Sequence, residues 1–423
     1  MGEYRRRVVD HLLDEIQPEL PALAIQGAKG VGKTTTARER ARTVLSFDRA
    51  PDRELVGADP AVIERVAGPV LLDEWQRMPE VRDLVRRDVD ERAQPGRYLL
   101  AGSAAPVGAA IHSGAGRIVS FRMRPLSLAE RGTTPPTVSL RDLLTGRARP
   151  EGSTTLGLTD YVDEIVSSGF PGIRAASPRV RAPRLDAYLD AVVEREFPEQ
   201  GLVVRRPEVL RGWLRAFAAA TSSTASYNAI LHAATPGQSD KPARTTTTAY
   251  RDVLAGLWLV DSLDAWIPGT NDLTRLGQAP KHQLADPALA ARLLGVDADS
   301  LLSGTEGPAP ELRRGTLLGA LFEHLVALSV QVYAQAADAT VHHLRTRNGD
   351  HEIDLVVRRP DGRVLAVEVK LANSVSDSDV RHLHWLRDKI GPDLVDALVV
   401  TTGRDAYRRK DGVAVVPAAL LGP

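Results

Sequence analysis

Gly27-Ala28-Lys29-Gly30-Val31-Gly32-Lys33-Thr34 decides the fold of this chain. The stretch fits G-x-x-x-x-G-K-[ST]. It lies between an apolar strand, Leu23-Ala24-Ile25, and residues that read as a helix from about Thr35 to Val44. Strand, loop and helix in that order are what a phosphate-cradling loop requires, and a chance glycine-rich turn does not account for it. Glycines let backbone N–H groups wrap around β- and γ-phosphates, while the helix aims its positive end at the anion. The expected nucleotide contacts are Gly27, Lys29, Gly30, Gly32, Lys33, Thr34 and Thr35, with Lys33 on the phosphates and Thr34 on Mg²⁺. ATP and Mg²⁺ are the implied cofactors.

Some forty residues on, Val70-Leu71-Leu72 runs straight into Asp73-Glu74. A fully apolar strand is a buried parallel strand, and ligands bind beyond the C-terminal ends of such strands. Asp73 is therefore expected to hold the metal, and Glu74 to orient and deprotonate the attacking water. Paired acids at a strand end also serve as helix caps, and the adjoining Val81, Leu84, Val85, Val89 stripe allows that reading; the phosphate loop decides for catalysis. A third strand, Tyr98 to Ala101, ends in Gly102-Ser103, which places Ser103 to sense the γ-phosphate. Arg117, after Ser113-Gly114-Ala115-Gly116, is a candidate arginine finger, supplied to a neighbouring subunit in a homo-oligomer; a solvated surface arginine is the competing reading.

The 423 residues suffice for two or three domains. Fifty-four basic and 54 acidic residues cancel, so no global positive field advertises nucleic acid. Only seven basic residues are lysine, and Lys29, Lys33 and Lys370 fall inside motifs. Zero cysteines exclude disulfides and thiolate metal sites and fit a reducing cytoplasm. We read no signal peptide in Met1–Arg7 and the amphipathic stretch after it, and no run of membrane-span length, so no membrane partner is expected. The ten histidines form no helical ligand pair. Arg174, Arg179, Arg181 and Arg184, with no acid among them, suit either a phosphate backbone or a solvated linker. Helical patterns at Leu185–Phe197, Pro207–Thr221, Ser226–Ala234 and Thr245–Leu257, then two strand-like pieces, Leu259–Trp266 and His282–Ala285, describe a winged helix. Such modules enter the major groove in some proteins and contact protein in others, and Arg244 and Arg251 leave both open.

A second constellation lies near the C-terminus. Glu352–Val357 and Val364–Lys370 flank Pro360-Asp361-Gly362, a three-residue loop whose glycine suits a left-handed closing position. Counting outward pairs Arg359 with Arg363 and sets Asp354 opposite Glu368, with Lys370 on the same face. Two carboxylates holding Mg²⁺ beside a lysine is the chemistry of phosphodiester cleavage. Glu323, on a helix that is apolar nearly all round, is a fourth candidate, because a buried carboxylate must be paired or ligating. The candidate metal ligands are thus Thr34 and Asp73 at one site and Glu323, Asp354 and Glu368 at the other. The candidate catalytic residues are Glu74, Arg117 and Lys370. A half-exposed strand with alternating charges is the structural alternative to the D…E-x-K reading.

Together, the phosphate loop, Leu72–Gln76, Ala101–Ser103, Gly116-Arg117, Pro125–Glu130, Ser168–Pro171, Pro280-Lys281 before Asp286-Pro287, and Glu323, Asp354, Glu368 and Lys370 resemble prokaryotic AAA-type ATPases with a C-terminal restriction-endonuclease-like domain of unknown function. That family usually has arginine where Lys29 stands and two glycines where Ser168-Gly169 stands. The resemblance implies an α/β protein: a P-loop AAA-type ATPase core at 1–135, a connecting segment at 136–183, a helical winged-helix middle domain at 184–300, and a restriction-endonuclease-like α/β domain at 301–423. It leaves the biological role open; the motifs themselves lead us to expect ATP turnover coupled to a DNA-directed nuclease or nuclease-like module, and the alternative is a nucleotide-driven switch or scaffold whose C-terminal domain binds DNA or protein without cutting.

Overall fold

Five short runs of apolar and β-branched residues pair side by side in parallel: β1 (Ala22–Gln26), β2 (Thr43–Ser46), β3 (Val70–Asp73), β4 (Tyr98–Gly102) and β5 (Ile118–Arg122), in the order β2-β3-β4-β1-β5. Every residue of β3 and β4 is buried, as expected of parallel strands covered on both faces. The computed structural model describes residues 4–103, 116–202, 204, 206–234, 244–269, 278–303, 314–346 and 349–423. Ser113–Ala115 and the Arg244 side chain lie outside the described residues.

The expected helix from Thr35 to Val44 is shorter, Lys33–Arg38. Thr43-Val44-Leu45-Ser46 forms β2 instead, because this β-branched run pairs residue for residue with Val70–Asp73. The helix after β3 spans Glu80–Arg92 and buries Val81, Val85 and Val89, the expected stripe.

The chain forms two compact units. The first comprises Met1–Pro125, Ala191–Arg205 and Arg251–Leu259; the second comprises Leu126–Asp190, Arg206–Tyr250 and Val260–Pro423. Parts of the expected winged-helix segment thus fall in each. Its helices are Pro178–Ala191, a π-helical turn Val192–Glu196, Pro207–Ala219, Tyr227–Ala234 and Arg244–Gly256. The two strand-like pieces meet antiparallel in one register, through bridges of Val260 with Leu284 and Leu263 with Lys281 and an Asp261 N–H to Gln283 carbonyl bond at 2.9 Å, and Ala265 bridges to His343.

In the second unit β6 (Val138–Ser139) pairs in parallel with the terminal β13 (Leu421–Gly422). A mixed sheet contains β7 (Thr340–Arg345), β8 (Glu352–Arg358), β9 (Val364–Lys370), β10 (Leu394–Thr401), β11 (Tyr407–Arg408) and β12 (Ala414–Pro417), in the order β11-β12-β10-β9-β8-β7. The helix Arg314–Ala336 precedes β7, and Arg381–Ile390 lies between β9 and β10, giving αβββαβ followed by two short strands, β11 at the sheet edge and β12 inside it. By length and composition Leu317–Ala336 could cross a membrane, contrary to the sequence expectation, but 83% of its apolar window is buried within the protein. A helix apolar all round is a core helix when strands and helices cover it.

The Ser168-Gly169-Phe170-Pro171 and Asp286-Pro287 motifs interlock. Asp286, fully buried, accepts N–H from Gly169 at 2.5 Å and Ala288 at 2.8 Å and the Ser168 hydroxyl at 3.2 Å. Ser168 holds φ +66°, a conformation glycine adopts without strain, and its bond to Asp286 stands against that cost. Leu128 and Ala129 N–H groups are capped by Ser329 Oγ and Tyr333 Oη, so the Pro125–Glu130 motif also serves architecture. Asp286→Ala would strand three buried donors and should lower unfolding free energy by roughly 3 kcal/mol. Urea denaturation of the full chain checks this, and a change under roughly 0.5 kcal/mol would refute it.

Candidate functional site

The parallel order of β1, β3 and β4 brings three strand tips together in the first unit. After β1 the chain enters the loop with Gly27, Gly30 and Gly32 at φ of +153°, +85° and +106°. A Cβ on Gly27 would stand 2.1 Å from the Met123 carbonyl oxygen, so backbone packing demands glycine there. Lys33 is buried, and its Nζ donates to the carbonyls of Gly27 at 2.8 Å and Ala28 at 2.9 Å. Burial pulls its pKa down to about 8, against the attraction of Glu74 and Asp73.

Thr34 donates its hydroxyl to Asp73 Oδ1 at 2.7 Å, and Ser46 donates to Asp73 Oδ2 at 3.1 Å. A hydroxyl and a carboxylate, both hard oxygen donors at the mouth of a phosphate loop, fit Mg²⁺. Glu74, in the left-handed region at φ +53°, accepts from Gln76 Nε2 at 2.6 Å. Gln76 also lies 3.4 Å from Ser103 Oγ at the end of β4. Burial, with Asp73 adding, holds the Glu74 carboxyl above its ordinary range against the pull of Lys33. Sequence reasoning missed Gln76 and Ser46; only the alignment of strand tips exposes them. Thr35 is exposed on the first turn of the helix. Lys29 Nζ bonds Glu196 Oε1 at 2.6 Å, within the same unit. Arg117, 44% exposed at its side chain, is ion-paired with Asp90.

The second cluster belongs to the second unit. Gly362 N–H bonds the Arg359 carbonyl, Arg359 N–H bonds the Arg363 carbonyl, and Gly362 has φ +89°, closing the three-residue loop. Val356 pairs with Ala366 and Leu355 with Val367, so Asp354 and Glu368 share a face as the sequence count requires. Asp354 Oδ2 accepts the Val369 N–H at 2.9 Å, and Lys370 Nζ donates to Glu368 Oε2 at 2.9 Å.

Lys281 completes this cluster. Its side chain is fully buried, with Nζ 2.8 Å from Glu323 Oε1, 3.3 Å from Asp354 Oδ1 and 3.6 Å from Glu352 Oε1. Burial alone would discharge it, but the three carboxylates outweigh burial and hold the ammonium charged well above the usual range. Burial pushes Glu323 up to about 8, with Asp354 adding and Lys281 opposing. Burial and Asp354 likewise raise Glu368 far above the carboxylate range, while Lys281 and Lys370 overcome burial and keep Asp354 low. Glu368 Oε1 is buried with no hydrogen-bond partner among the described residues. The expected Mg²⁺ ligands Glu323, Asp354 and Glu368 do not fit a divalent ion. Among the described residues no three His, Asp or Glu side chains are grouped to hold one, and an ammonium lies against two of them. Lys281 and Glu352 went unassigned from sequence, although Lys281 is one of only seven lysines.

Three of the arginines read as a phosphate-contacting group engage the second unit itself. Arg174 pairs with Glu164, Arg181 donates to Ser167 and two carbonyls, and Arg184 donates to Gly172. Arg251 pairs with its neighbour Asp252.

Residues 19–131 match the family model described as an AAA domain, residues 158–300 a domain of unknown function (DUF8612), and residues 318–421 a domain of unknown function (DUF4143). The first unit thus carries an AAA-type P-loop ATPase domain. The chain is similar to uncharacterized proteins of Mycobacterium tuberculosis and Mycobacterium bovis, each 27% identical over 94% of this chain and 80% of theirs. Among solved structures it is similar to a Walker-type ATPase of Pyrococcus abyssi, at 14% identity, 67% and 94% coverage and TM-score 0.38. The Aeropyrum pernix ORC2 protein is similar at 16% identity, 70% and 91% coverage and TM-score 0.29. Both scores are too low to carry an argument. Lys281 and its carboxylate partners fall in two different family models yet in one compact unit.

The Lys33 environment sets a pH dependence. Bound phosphate favours the ammonium, so above about pH 8 the free protein must take up a proton to bind ATP. ATP affinity, titrated by fluorescence, should therefore fall as pH rises past that point, approaching about tenfold per pH unit. Lys33→Met should bind weakly with no such slope, and a wild-type affinity that rises with pH would contradict the assignment.

Proposed function

We propose that this chain is an ATP-hydrolysing switch whose C-terminal module, restriction-endonuclease-like in its αβββαβ order, engages DNA or a protein partner without cutting. The hydrolytic half rests on one observation: Thr34 bonds Asp73 at 2.7 Å while Glu74, Gln76 and Ser103 line the adjoining strand tips. In this reading Gly27, Gly30 and Gly32 let the loop backbone cradle phosphate, and Lys33 contacts it. Thr34 and Asp73 hold Mg²⁺, which neutralises phosphate charge when bound. Glu74, with its pKa raised by burial and oriented by Gln76, takes the proton of the attacking water. Lys29 and Thr35 flank the phosphates, Ser103 senses them, and a cytoplasmic location belongs to the same reading.

The non-cutting half is favoured by Lys281 among the carboxylates. A second reading, metal-dependent cleavage with Lys370 catalytic, is favoured by Asp354, Glu368 and Lys370 lying in register on one face. A cleavage assay on single- and double-stranded DNA with Mg²⁺ or Mn²⁺, with and without ATP, separates them: no cleavage is expected, and Asp354-dependent cleavage would establish the second reading. In this reading a DNA contact would run through the winged-helix segment, whose strand-like pieces meet at Val260–Leu284 and Leu263–Lys281.

Lys33→Ala should abolish Mg²⁺-dependent ATPase activity. Glu74→Gln should retain ATP binding and hydrolyse at least ~10²-fold more slowly. Equal turnover by wild type and Glu74→Gln would show that another group is the base.

If Arg117 leaves Asp90 to complete a neighbouring subunit's site, ATPase activity per subunit should rise with protein concentration. Arg117→Ala should remove that dependence with nucleotide affinity nearly unchanged. Concentration-independent turnover of a monomer would exclude the finger.

A further inference from the structure

We propose that Lys281 is the resident cation of the C-terminal carboxylate cluster, its ammonium taking the place of a divalent metal, so that the cluster is a closed ion-pair site. The inference rests on the restriction-endonuclease-like, non-cutting reading of this module. It is carried by position and by rigidity.

Position comes first. Nζ lies 2.8 Å from Glu323 and 3.3 Å from Asp354, two of the acids that the D…E-x-K arrangement would turn toward a metal. Magnesium requires near-octahedral oxygens at about 2.0–2.1 Å, and calcium more oxygens at slightly longer range. An ammonium within hydrogen-bond distance of both carboxylates occupies the place such an ion would need and supplies one positive charge there. Two further acceptors are committed as well, Asp354 Oδ2 to the Val369 N–H and Glu368 Oε2 to Lys370, which leaves Glu368 Oε1 as the buried oxygen without a partner among the described residues.

Rigidity separates this lysine from a surface side chain that has swung inward. Lys281 N–H donates to the Leu263 carbonyl and its own carbonyl accepts from Leu263 N–H, both at 2.9 Å. His282 makes the same pair of bonds with Ser223 and Ser222, both at 2.8 Å. The segment that delivers Lys281 is therefore pinned on two sides, and with a fully buried side chain the ammonium has no solvent position to retreat to. Removing Lys281 leaves Glu323 and Asp354 without the ammonium between them, while Glu352 keeps Arg345 at 3.9 Å, and a divalent ion is the natural replacement.

The test counts Mn²⁺ bound to the nucleotide-free full chain by electron paramagnetic resonance. Wild type and Asp354→Asn should bind Mn²⁺ equally, because Lys281 already closes the cluster. Lys281→Met should gain one site that disappears in Lys281→Met/Asp354→Asn, and Mn²⁺ should raise the melting temperature of Lys281→Met but not of wild type. An Asp354-dependent Mn²⁺ site in the wild-type chain overturns the inference, and so does a folded Lys281→Met that gains none. If Lys281→Met does not fold, the comparison of wild type with Asp354→Asn still decides. Failure of the parent reading registers separately, as metal-dependent DNA cleavage by the wild-type chain.

Discussion

A lysine ammonium taken out of water must find compensation or lose its proton, and two lysines of this chain meet that constraint in opposite ways. Lys33 is buried against two backbone carbonyls, which satisfy its hydrogen bonds but supply no full charge, so its pKa falls to about 8. Lys281 is buried against Glu323, Asp354 and Glu352, whose charges outweigh burial and hold its pKa above the usual lysine range. The first lysine is under-compensated and gains from an arriving phosphate. The second is already satisfied and gains nothing from a further ligand.

The scaffolds around them follow from the same need to place charge at defined points. In the first unit all five strands run parallel, so the ends of β1, β3 and β4 deliver the phosphate loop, Asp73-Glu74 and Ser103 to one edge. In the second unit an antiparallel hairpin sets Asp354 and Glu368 on one face, and an apolar core helix supplies Glu323. Lys281 arrives from a segment held by Leu263 and by the Ser222-Ser223 turn. The cluster draws on both regions of unknown function, so neither would hold its charges alone.

Several motifs that suggest chemistry turn out to hold the second unit together. Asp286 fixes the Ser168-Gly169 turn, Ser329 and Tyr333 cap the helix begun at Leu128, and Glu164 gathers Arg131 and Arg174. Buried polar groups tied this densely are costly to alter, which is sufficient reason for distinctive residues away from any active site.

Local pattern sufficed wherever the physics is local. The glycines and lysine of Gly27–Thr34, the apolar run into Asp73 and the Pro360-Asp361-Gly362 loop specify strand, turn and register within a few residues, and the hairpin count from Arg359 and Arg363 places Asp354 beside Glu368. Pattern misjudged Thr43–Ser46, where pairing with Val70–Asp73 overrode a helical reading, whereas Leu259–Trp266 and His282–Ala285 do meet, through the antiparallel bridges around Val260 and Leu263. Pro280-Lys281 stands out as a motif, yet nothing local names the partners of Lys281. Forty-two residues separate it from Glu323 and 73 from Asp354, and no periodicity records which lysine a buried carboxylate will meet. Sequence by itself determined the phosphate loop and the face shared by Asp354 and Glu368. Tertiary structure alone decided which cation stands between Asp354 and Glu323, because that choice depends on long-range packing that buries Lys281 fully and both carboxylates for the most part.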